Sequence, residues 1–96
     1  MKSLTAVRNI LGNHKKRLVE KYGLKFIAIF GSYGREQQGE GSDVDILVDF
    51  DKPVGMEFID LANELEKILN IKVDLVSRNG IKLKYLKYIE KDLSYV

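Results

Sequence analysis

Residues 26–50, FIAIFGSYGREQQGEGSDVDILVDF, carry the most specific pattern of this chain. An apolar run leads into a Gly31-Ser32 turn and then into a polar, glycine-rich loop. A second apolar run follows and opens with Asp43 and Asp45. Short apolar runs of this kind predict two β-strands. The loop that joins them therefore brings polar side chains to the ends of both strands.

Outside this stretch, the spacing of apolar residues predicts a domain of alternating helices and strands. The predicted order is α-β-(short α)-β-α-β-α, which indicates an α/β or α+β fold. We expect a three- or four-stranded sheet with helices packed largely on one side. The predicted strands cover residues 25–30, 43–50 and 71–76. The predicted helices cover residues 3–22, 32–36 and 55–70, with a last helix that begins at Asn79 or Gly80.

The helix boundaries and faces follow from individual side chains. Ser3 is a suitable N-cap and Gly23 a suitable stop for the first helix. In the helix over residues 55–70 an apolar stripe predicts the buried face. The side chains expected to face water there are Glu57, Asp60, Glu64 and Lys67. The side chains expected to be buried in the last helix are Ile81, Tyr85, Tyr88 and Ile89.

Length and composition restrict the class of protein. The 96 residues are enough for one small domain, predicted to span residues 1–96. The chain has no cysteine, which excludes a disulfide framework and a thiolate zinc site. No apolar run approaches the ~20 residues of a membrane span, and the N-terminus lacks the apolar segment of a signal peptide. We therefore expect a cytoplasmic protein.

Charges are unevenly distributed along the chain. Basic side chains predominate before residue 26 and after residue 76, whereas the segment between them is acidic. The acidic segment suits cation binding, and the basic ends could meet an acidic or nucleic-acid partner. Charged runs are, however, more commonly solvated helix faces. Together with Tyr85, Tyr88 and Tyr95, the basic first and last helices suggest a docking surface.

Asp43 and Asp45 are candidate metal ligands. Two residues apart on a strand, they point to the same side with Cβ atoms about 7 Å apart, because each residue rises ~3.3 Å. Both could reach one divalent cation or bridge two, and carboxylate oxygens favour Mg²⁺ or Mn²⁺. The alternative is a solvent-facing strand, and the pair alone does not decide between the two.

Three other residues extend the candidate site. A glycine at a strand end lets the backbone approach a ligand, so Gly31 and Ser32 could donate hydrogen bonds to phosphate. An ordinary turn with a serine cap is the alternative. Asp74, in the predicted strand over residues 71–76, could supply a third carboxylate, or could lie at the surface of an edge strand. No GxxxxGK[ST] motif is present, which excludes a P-loop. The combination predicts a site for a metal ion and a triphosphate.

The pattern GS-x₁₀-D-x-D in GSYGREQQGEGSDVDILVDF resembles the signature of the minimal nucleotidyltransferases in the polymerase-β-like superfamily. The resemblance implies a mixed sheet of three or four strands. It implies that Gly31 and Ser32 hold the triphosphate and that Arg35 contacts phosphate or acceptor, unless Arg35 is only a solvated loop residue. It also implies two Mg²⁺ ions, or Mn²⁺. By the same resemblance, both ions are bound by Asp43 and Asp45, and Asp74 binds the one that activates the nucleophile.

The resemblance also implies an activity and a partner. Such proteins resemble antitoxins that transfer AMP from ATP to a tyrosine of a HEPN-domain ribonuclease toxin. One alternative is a binding subunit that masks the toxin without catalysis. Another is nucleotidyl transfer to a small-molecule hydroxyl. Direct nucleic-acid binding is not expected.

Overall fold

The computed structural model describes residues 2–96 and contains four helices and four strands. No helix in this range combines the length and the apolar character needed to cross a bilayer. Single 3₁₀ turns cover Arg78–Gly80 and Glu90–Asp92. The helices are α1 (Leu4–Tyr22), α2 (Gly31–Gly34), α3 (Glu57–Leu69) and α4 (Leu83–Ile89). The strands are β1 (Leu24–Phe30), β2 (Val44–Phe50), β3 (Val73–Ser77) and β4 (Ser94–Tyr95).

The strands form one mixed sheet in the order β3-β2-β1-β4. β1 and β2 are antiparallel, as their connection through α2 and a short loop allows. β2 and β3 are parallel, because α3 carries the chain back to the start of the sheet. β4 returns antiparallel to β1 and completes the sheet. The predicted α/β fold with a three- or four-stranded mixed sheet is confirmed.

One face of the sheet carries the main hydrophobic core. Side chains alternate along each strand, so every second residue points toward α1 and α3. These two helices contribute leucines and a valine from one apolar stripe each. The fully buried members of this core include Val7, Leu11, Leu18, Ile27, Ile29, Val44, Ile46, Val48, Leu61, Leu65 and Leu69. The polar residues of the sheet are thereby directed to the opposite face.

The predicted limits of α1 are confirmed by its caps. The Ser3 side chain accepts a hydrogen bond from the Ala6 N–H at 3.1 Å. Gly23 adopts a left-handed conformation, with φ of 67°, and its N–H donates to the Val19 carbonyl at 2.9 Å. Both contacts pair backbone groups that a helix leaves without internal partners.

The prediction that Glu64 faces water is wrong. Its carboxylate lies between α3 and α1, where it accepts hydrogen bonds from Lys21 Nζ at 3.0 Å, from the Tyr22 hydroxyl at 2.6 Å and from Arg17. Burial alone would raise the pKa of Glu64, but the three donors outweigh it and lower the pKa from 4.5 to about 2. Since α1 and α3 pack side by side on the sheet, a polar residue at their boundary reaches the opposing helix.

The prediction for the C-terminal segment is partly wrong. Residues 78–80 form a 3₁₀ turn and α4 begins only at Leu83. Leu86 is the buried residue of α4, whereas Tyr85 and Tyr88 are 59% and 70% exposed. The sequence prediction also lacked β4. Its backbone pairs with β1 across Ala28–Tyr95 and Ile29–Ser94, and the Tyr95 ring packs edge-on against Phe26.

Candidate active site

Two of the predicted carboxylates meet on the face of the sheet opposite to α1 and α3. Asp45 of β2 is in register with Asp74 of β3 on one side and with Phe30 of β1 on the other. Neighbouring strands lie about 4.8 Å apart, so side chains in register on one face are in contact range. Asp45 precedes α3 in the sequence and Asp74 follows it. The parallel pairing of β2 and β3 therefore brings the two side chains together.

The turn after β1 approaches this pair closely. Gly31 has a φ of 66°, a conformation that glycine adopts at little cost. A Cβ at residue 31 would overlap the Asp45 carboxylate, with the Cγ atom of Asp45 at 2.9 Å. Only a glycine leaves room for that carboxylate. The backbone of the Gly31–Gly34 turn therefore borders the acidic pair directly, as expected for a turn that contacts a ligand.

The environment of Asp45 disfavours its negative charge. Burial is the largest cause, followed by the charge of Asp74, a hydrogen bond shared with it and the charge of Asp43. Arg35 acts in the opposite direction but less strongly. The pKa of Asp45 consequently rises from 3.8 to about 6. The positive charge of Arg35 is therefore too weak to offset burial and the neighbouring carboxylates at Asp45.

Asp43 lies at the margin of the pair. It precedes β2, its side chain is exposed, and it acts on Asp45 through charge. Within residues 2–96, no three His, Cys, Asp or Glu side chains are grouped closely enough to hold a metal ion together. The structure thus joins Asp45 and Asp74, whereas Asp43 is a neighbour that does not complete a three-ligand cluster.

Ser32 and Arg35 belong to the turn that follows β1. Ser32 is half-buried, and its carbonyl accepts a hydrogen bond from the Gln37 N–H at 2.8 Å. Arg35 donates from Nε to Gln37 Oε1 and from Nη1 to Asp92 Oδ2, both at 3.2 Å. Asp92 was not among the predicted site residues. No local pattern identifies it, because it is 57 residues away from Arg35 in the chain.

The residues present fit a divalent cation. Asp45 and Asp74 offer hard oxygen donors on adjacent strands, and Asp43 offers a further carboxylate nearby. Burial, and then the neighbouring carboxylates, raise the pKa of Asp45, and a bound cation would counteract both effects. The Gly31–Gly34 turn lies directly against these carboxylates, since the Asp45 carboxylate takes up the place where a side chain of residue 31 would project. These features suit a site that receives a cation together with an anionic ligand.

Sequence comparison agrees with this geometry. The sequence model of the nucleotidyltransferase domain matches residues 11–96. The chain belongs to the nucleotidyltransferase family. A candidate protein adenylyltransferase of Methanocaldococcus jannaschii is 51% identical over the full length of both chains. The protein adenylyltransferase MntA of Thermococcus cleftensis is 42% identical, and the match covers all of this chain and 98% of the relative. The predicted membership in the minimal nucleotidyltransferases and the predicted enzyme class are confirmed.

Solved structures of this nucleotidyltransferase family share its architecture. A candidate minimal nucleotidyltransferase superposes with a TM-score of 0.85 at 25% identity, over 99% of this chain and 97% of the other. A toxin–antitoxin crystal structure with AMP-PNP gives a TM-score of 0.73 at 26% identity, over 86% of this chain and 69% of the other. The arrangement of sheet and helices around the acidic pair is therefore that of the family.

Proposed function

We propose that this nucleotidyltransferase transfers AMP from ATP to a tyrosine hydroxyl of a partner protein, a HEPN-domain ribonuclease toxin, and thereby acts as its antitoxin. One observation carries the proposal: Asp45 and Asp74 are paired on adjacent strands, and the backbone of Gly31 lies directly against the Asp45 carboxylate. Acidic side chains that bind a cation and a backbone turn that binds phosphate are the two requirements of nucleotidyl transfer.

Each residue of the candidate site has its own role in this proposal. Gly31 and Ser32 present backbone N–H groups and a hydroxyl to the triphosphate, and Arg35 adds positive charge beside it. Asp45 and Asp74 would hold Mg²⁺ or Mn²⁺, Asp43 would supply a further carboxylate from the margin of the pair, and two ions would be bound in all. When bound, the cations neutralise the triphosphate and lower the pKa of the acceptor hydroxyl, which for tyrosine is ordinarily about 10.

The transfer itself exchanges a phosphoanhydride bond of ATP for a phosphoester bond to the acceptor. The acceptor oxygen bonds to the α-phosphorus of ATP as the bond from that phosphorus to the bridging oxygen of the β-phosphate breaks. Pyrophosphate leaves, and the proton of the hydroxyl passes to solvent. The chain aligns the two oxygens by fixing the triphosphate at the Gly31–Gly34 turn and the carboxylates on β2 and β3. Such alignment is a large part of catalysis in phosphoryl-transfer enzymes.

Two observations favour a protein as the acceptor. The relatives at 51% and 42% identity carry names that denote protein adenylyltransferases. In addition, three apolar or aromatic residues of α4, Leu83, Tyr85 and Tyr88, are 59–70% exposed to solvent. Lysines at residues 82, 84 and 87 lie next to them in the sequence. An aromatic and basic surface of this kind suits contact with a protein that has an acidic surface. A small-molecule acceptor would give no reason for it.

The second candidate function is masking of the toxin by contact alone. The exposed side chains of α4 would serve that function equally well. The acidic pair argues against it, because it is costly to keep the half-buried Asp45 carboxylate beside the charge of the exposed Asp74, and a masking protein gains nothing from it. We therefore place catalysis first.

The test is transfer of label from ATP radiolabelled at the α-phosphate to the partner, with the Asp74→Asn variant as comparison. This change removes one charge and keeps the shape. Mg-ATP affinity should stay within a few-fold of the parent, because Asp43 and Asp45 remain. Transfer should fall by at least ~100-fold, the usual scale for loss of an activating group.

Three results would contradict parts of the proposal. Equal ATP affinity with EDTA and with Mg²⁺ would exclude the metal site. Unchanged transfer by Asp74→Asn would make Asp74 a surface residue. Inhibition of the partner by a parent protein that transfers no label would favour masking.

A further inference from the structure

The Arg35 guanidinium is held from two sides. Its Nε donates to Gln37 Oε1 and its Nη1 to Asp92 Oδ2, each at 3.2 Å. The side chain of Arg35 is 40% exposed and that of Asp92 is 23% exposed. A planar guanidinium with two of its N–H groups engaged has a fixed plane, and its remaining N–H groups point in fixed directions. Arg35 is therefore oriented before any ligand arrives.

The backbone of the C-terminal segment also contacts the turn. A Cβ at Gly34 would overlap the Asp92 carbonyl oxygen and would lie 3.3 Å from the Ile29 carbonyl oxygen. Residues 94–96 are in turn fixed to the sheet, since β4 pairs with β1 and the Val96 N–H donates to the Ile27 carbonyl at 2.9 Å. Asp92 thus contacts Arg35 through its carboxylate and Gly34 through its main chain, from a segment anchored on β1.

We propose that Asp92 is a positioning residue for nucleotide binding: it orients Arg35 toward the triphosphate and supports the turn at Gly34. This inference rests on the proposed function, since it assigns the anion near Arg35 to ATP. Asp92 itself does not touch the nucleotide. The alternative is that Asp92 competes with the nucleotide: its carboxylate binds Arg35, and the triphosphate must displace that carboxylate.

Titration of the full-length variants with ATP in the presence of Mg²⁺ distinguishes positioning of Arg35 from competition with the triphosphate. Asp92→Ala removes both the charge and the acceptor, and should weaken ATP binding by roughly two- to fivefold, the scale of a partly exposed charged contact. Asp92→Asn keeps an acceptor for Arg35 and should restore most of the affinity. If both variants bind ATP more tightly than the parent, Asp92 is a competitor and the proposal is wrong.

A double-mutant cycle distinguishes positioning from general stability. In an Arg35→Ala background, Asp92→Ala should cause no further loss of ATP affinity, because the group it orients is gone. An additional loss there, or a parent-like affinity for Asp92→Ala alone, would overturn the inference. Asp60→Ala, an exposed acid on α3, is the matched control for loss of one negative charge. If the parent fails to bind ATP, the proposed function itself fails, and this outcome is distinct from the others.

Discussion

At residue 31 the backbone conformation and the chemistry of the site depend on the same missing side chain. Gly31 is in the left-handed region and its hydrogen faces the Asp45 carboxylate. The spacing of glycine, serine and aspartates was visible in the sequence, and so was the alternation that sets Asp45 on one face. The contact between Gly31 and Asp45 was not, because it depends on how β1 and β2 pair. The role of Asp92 could not be predicted either, because its contact with Arg35 depends on the path of the C-terminal segment.

The Gly31→Ala variant should lose nucleotide affinity as well as stability. The new Cβ would displace the Asp45 carboxylate, and alanine in a left-handed conformation costs about 1–2 kcal/mol. We expect ATP affinity to fall by at least roughly tenfold, or about 1.4 kcal/mol, and the melting temperature to decrease. Gly39→Ala is the matched control, since its Cβ meets nothing within 4 Å. Parent-like ATP binding by Gly31→Ala in calorimetry would contradict the assignment of this turn.

The raised pKa of Asp45 predicts an unusual titration in the metal-free protein. Burial, and then Asp74, raise this pKa from 3.8 to about 6, so the folded state binds the proton more tightly than the unfolded state. The resulting contribution to stability is present below pH 3.8 and is lost as the pH rises through about 6. Carboxyl NMR should show a midpoint near 6 that falls in Asp74→Asn and stays in the control Asp60→Asn. An ordinary midpoint in the parent would refute the coupling.

At the scale of elements, long segments with a clear apolar stripe were predicted well and short ones were not. The 19 residues of α1 give the stripe enough turns to define a face, and its caps mark both ends. The seven residues of α4 offer two overlapping apolar patterns, and packing selected Leu86 over Tyr85 and Tyr88. β4 has only two residues, and it forms because the adjacent edge of β1 offers backbone partners.

The contact between α1 and α3 predicts a pH-dependent effect of Glu64→Gln. Hydrogen bonds from Tyr22, Arg17 and Lys21 lower the pKa of Glu64 from 4.5 to about 2 despite its burial. The stability that Glu64 contributes is therefore complete above pH 4.5 and is lost as the pH falls toward 2. Near neutral pH the variant should be less stable by about 1 kcal/mol, a modest loss because the side chains of Arg17 and Lys21 are about half exposed to solvent.

Urea unfolding across a range of pH values measures this effect. The difference in unfolding free energy between parent and Glu64→Gln should shrink as the pH falls from 4.5 toward 2. Asp60→Asn, on the exposed side of the same helix, should match the parent throughout. A difference that stays constant over this range would show that the ionised form of Glu64 contributes nothing to the packing of α1 on α3.

For the whole molecule, the two faces of the sheet differ in function: one forms the hydrophobic core and the other carries the candidate site. One face is covered by α1 and α3 and supplies the core, whereas the acidic pair and the glycine turn belong to the other. Binary patterning predicted the first face, because apolar periodicity reports burial. On the second face, the sequence predicted the candidate site residues of the GS-x₁₀-D-x-D motif and Asp74, but not the contact of Asp92 with Arg35. Tyr85 and Tyr88 of α4 were expected to be buried and also to belong to a docking surface. Both are exposed, so the first expectation is wrong, and a docking role is a functional explanation for their exposure.

That explanation gives the last prediction, which concerns the partner. If α4 contributes to the docking surface for a HEPN-domain protein, replacing Tyr85 and Tyr88 together by Ser should reduce co-elution in size-exclusion chromatography. Label transfer to the partner should decrease as well, because the acceptor tyrosine is no longer delivered to the site. ATP affinity should be unchanged, since neither side chain belongs to the acidic pair or the glycine turn. Both positions are exposed, so the substitutions leave no cavity in the core.

A matched double variant controls for the loss of exposed apolar surface. Met56 and Ile59, at and near the start of α3, are 66% and 50% exposed, and Met56→Ser with Ile59→Ser should leave co-elution and transfer at the parent level. Equal losses in both double variants would mean that exposed apolar area, and not α4, governs association. Co-elution of the Tyr85 and Tyr88 variant at the parent level would remove α4 from the interface. If the parent and the HEPN-domain protein elute apart, the antitoxin assignment is wrong, whereas metal-dependent ATP binding would still identify a nucleotidyltransferase that acts on another acceptor.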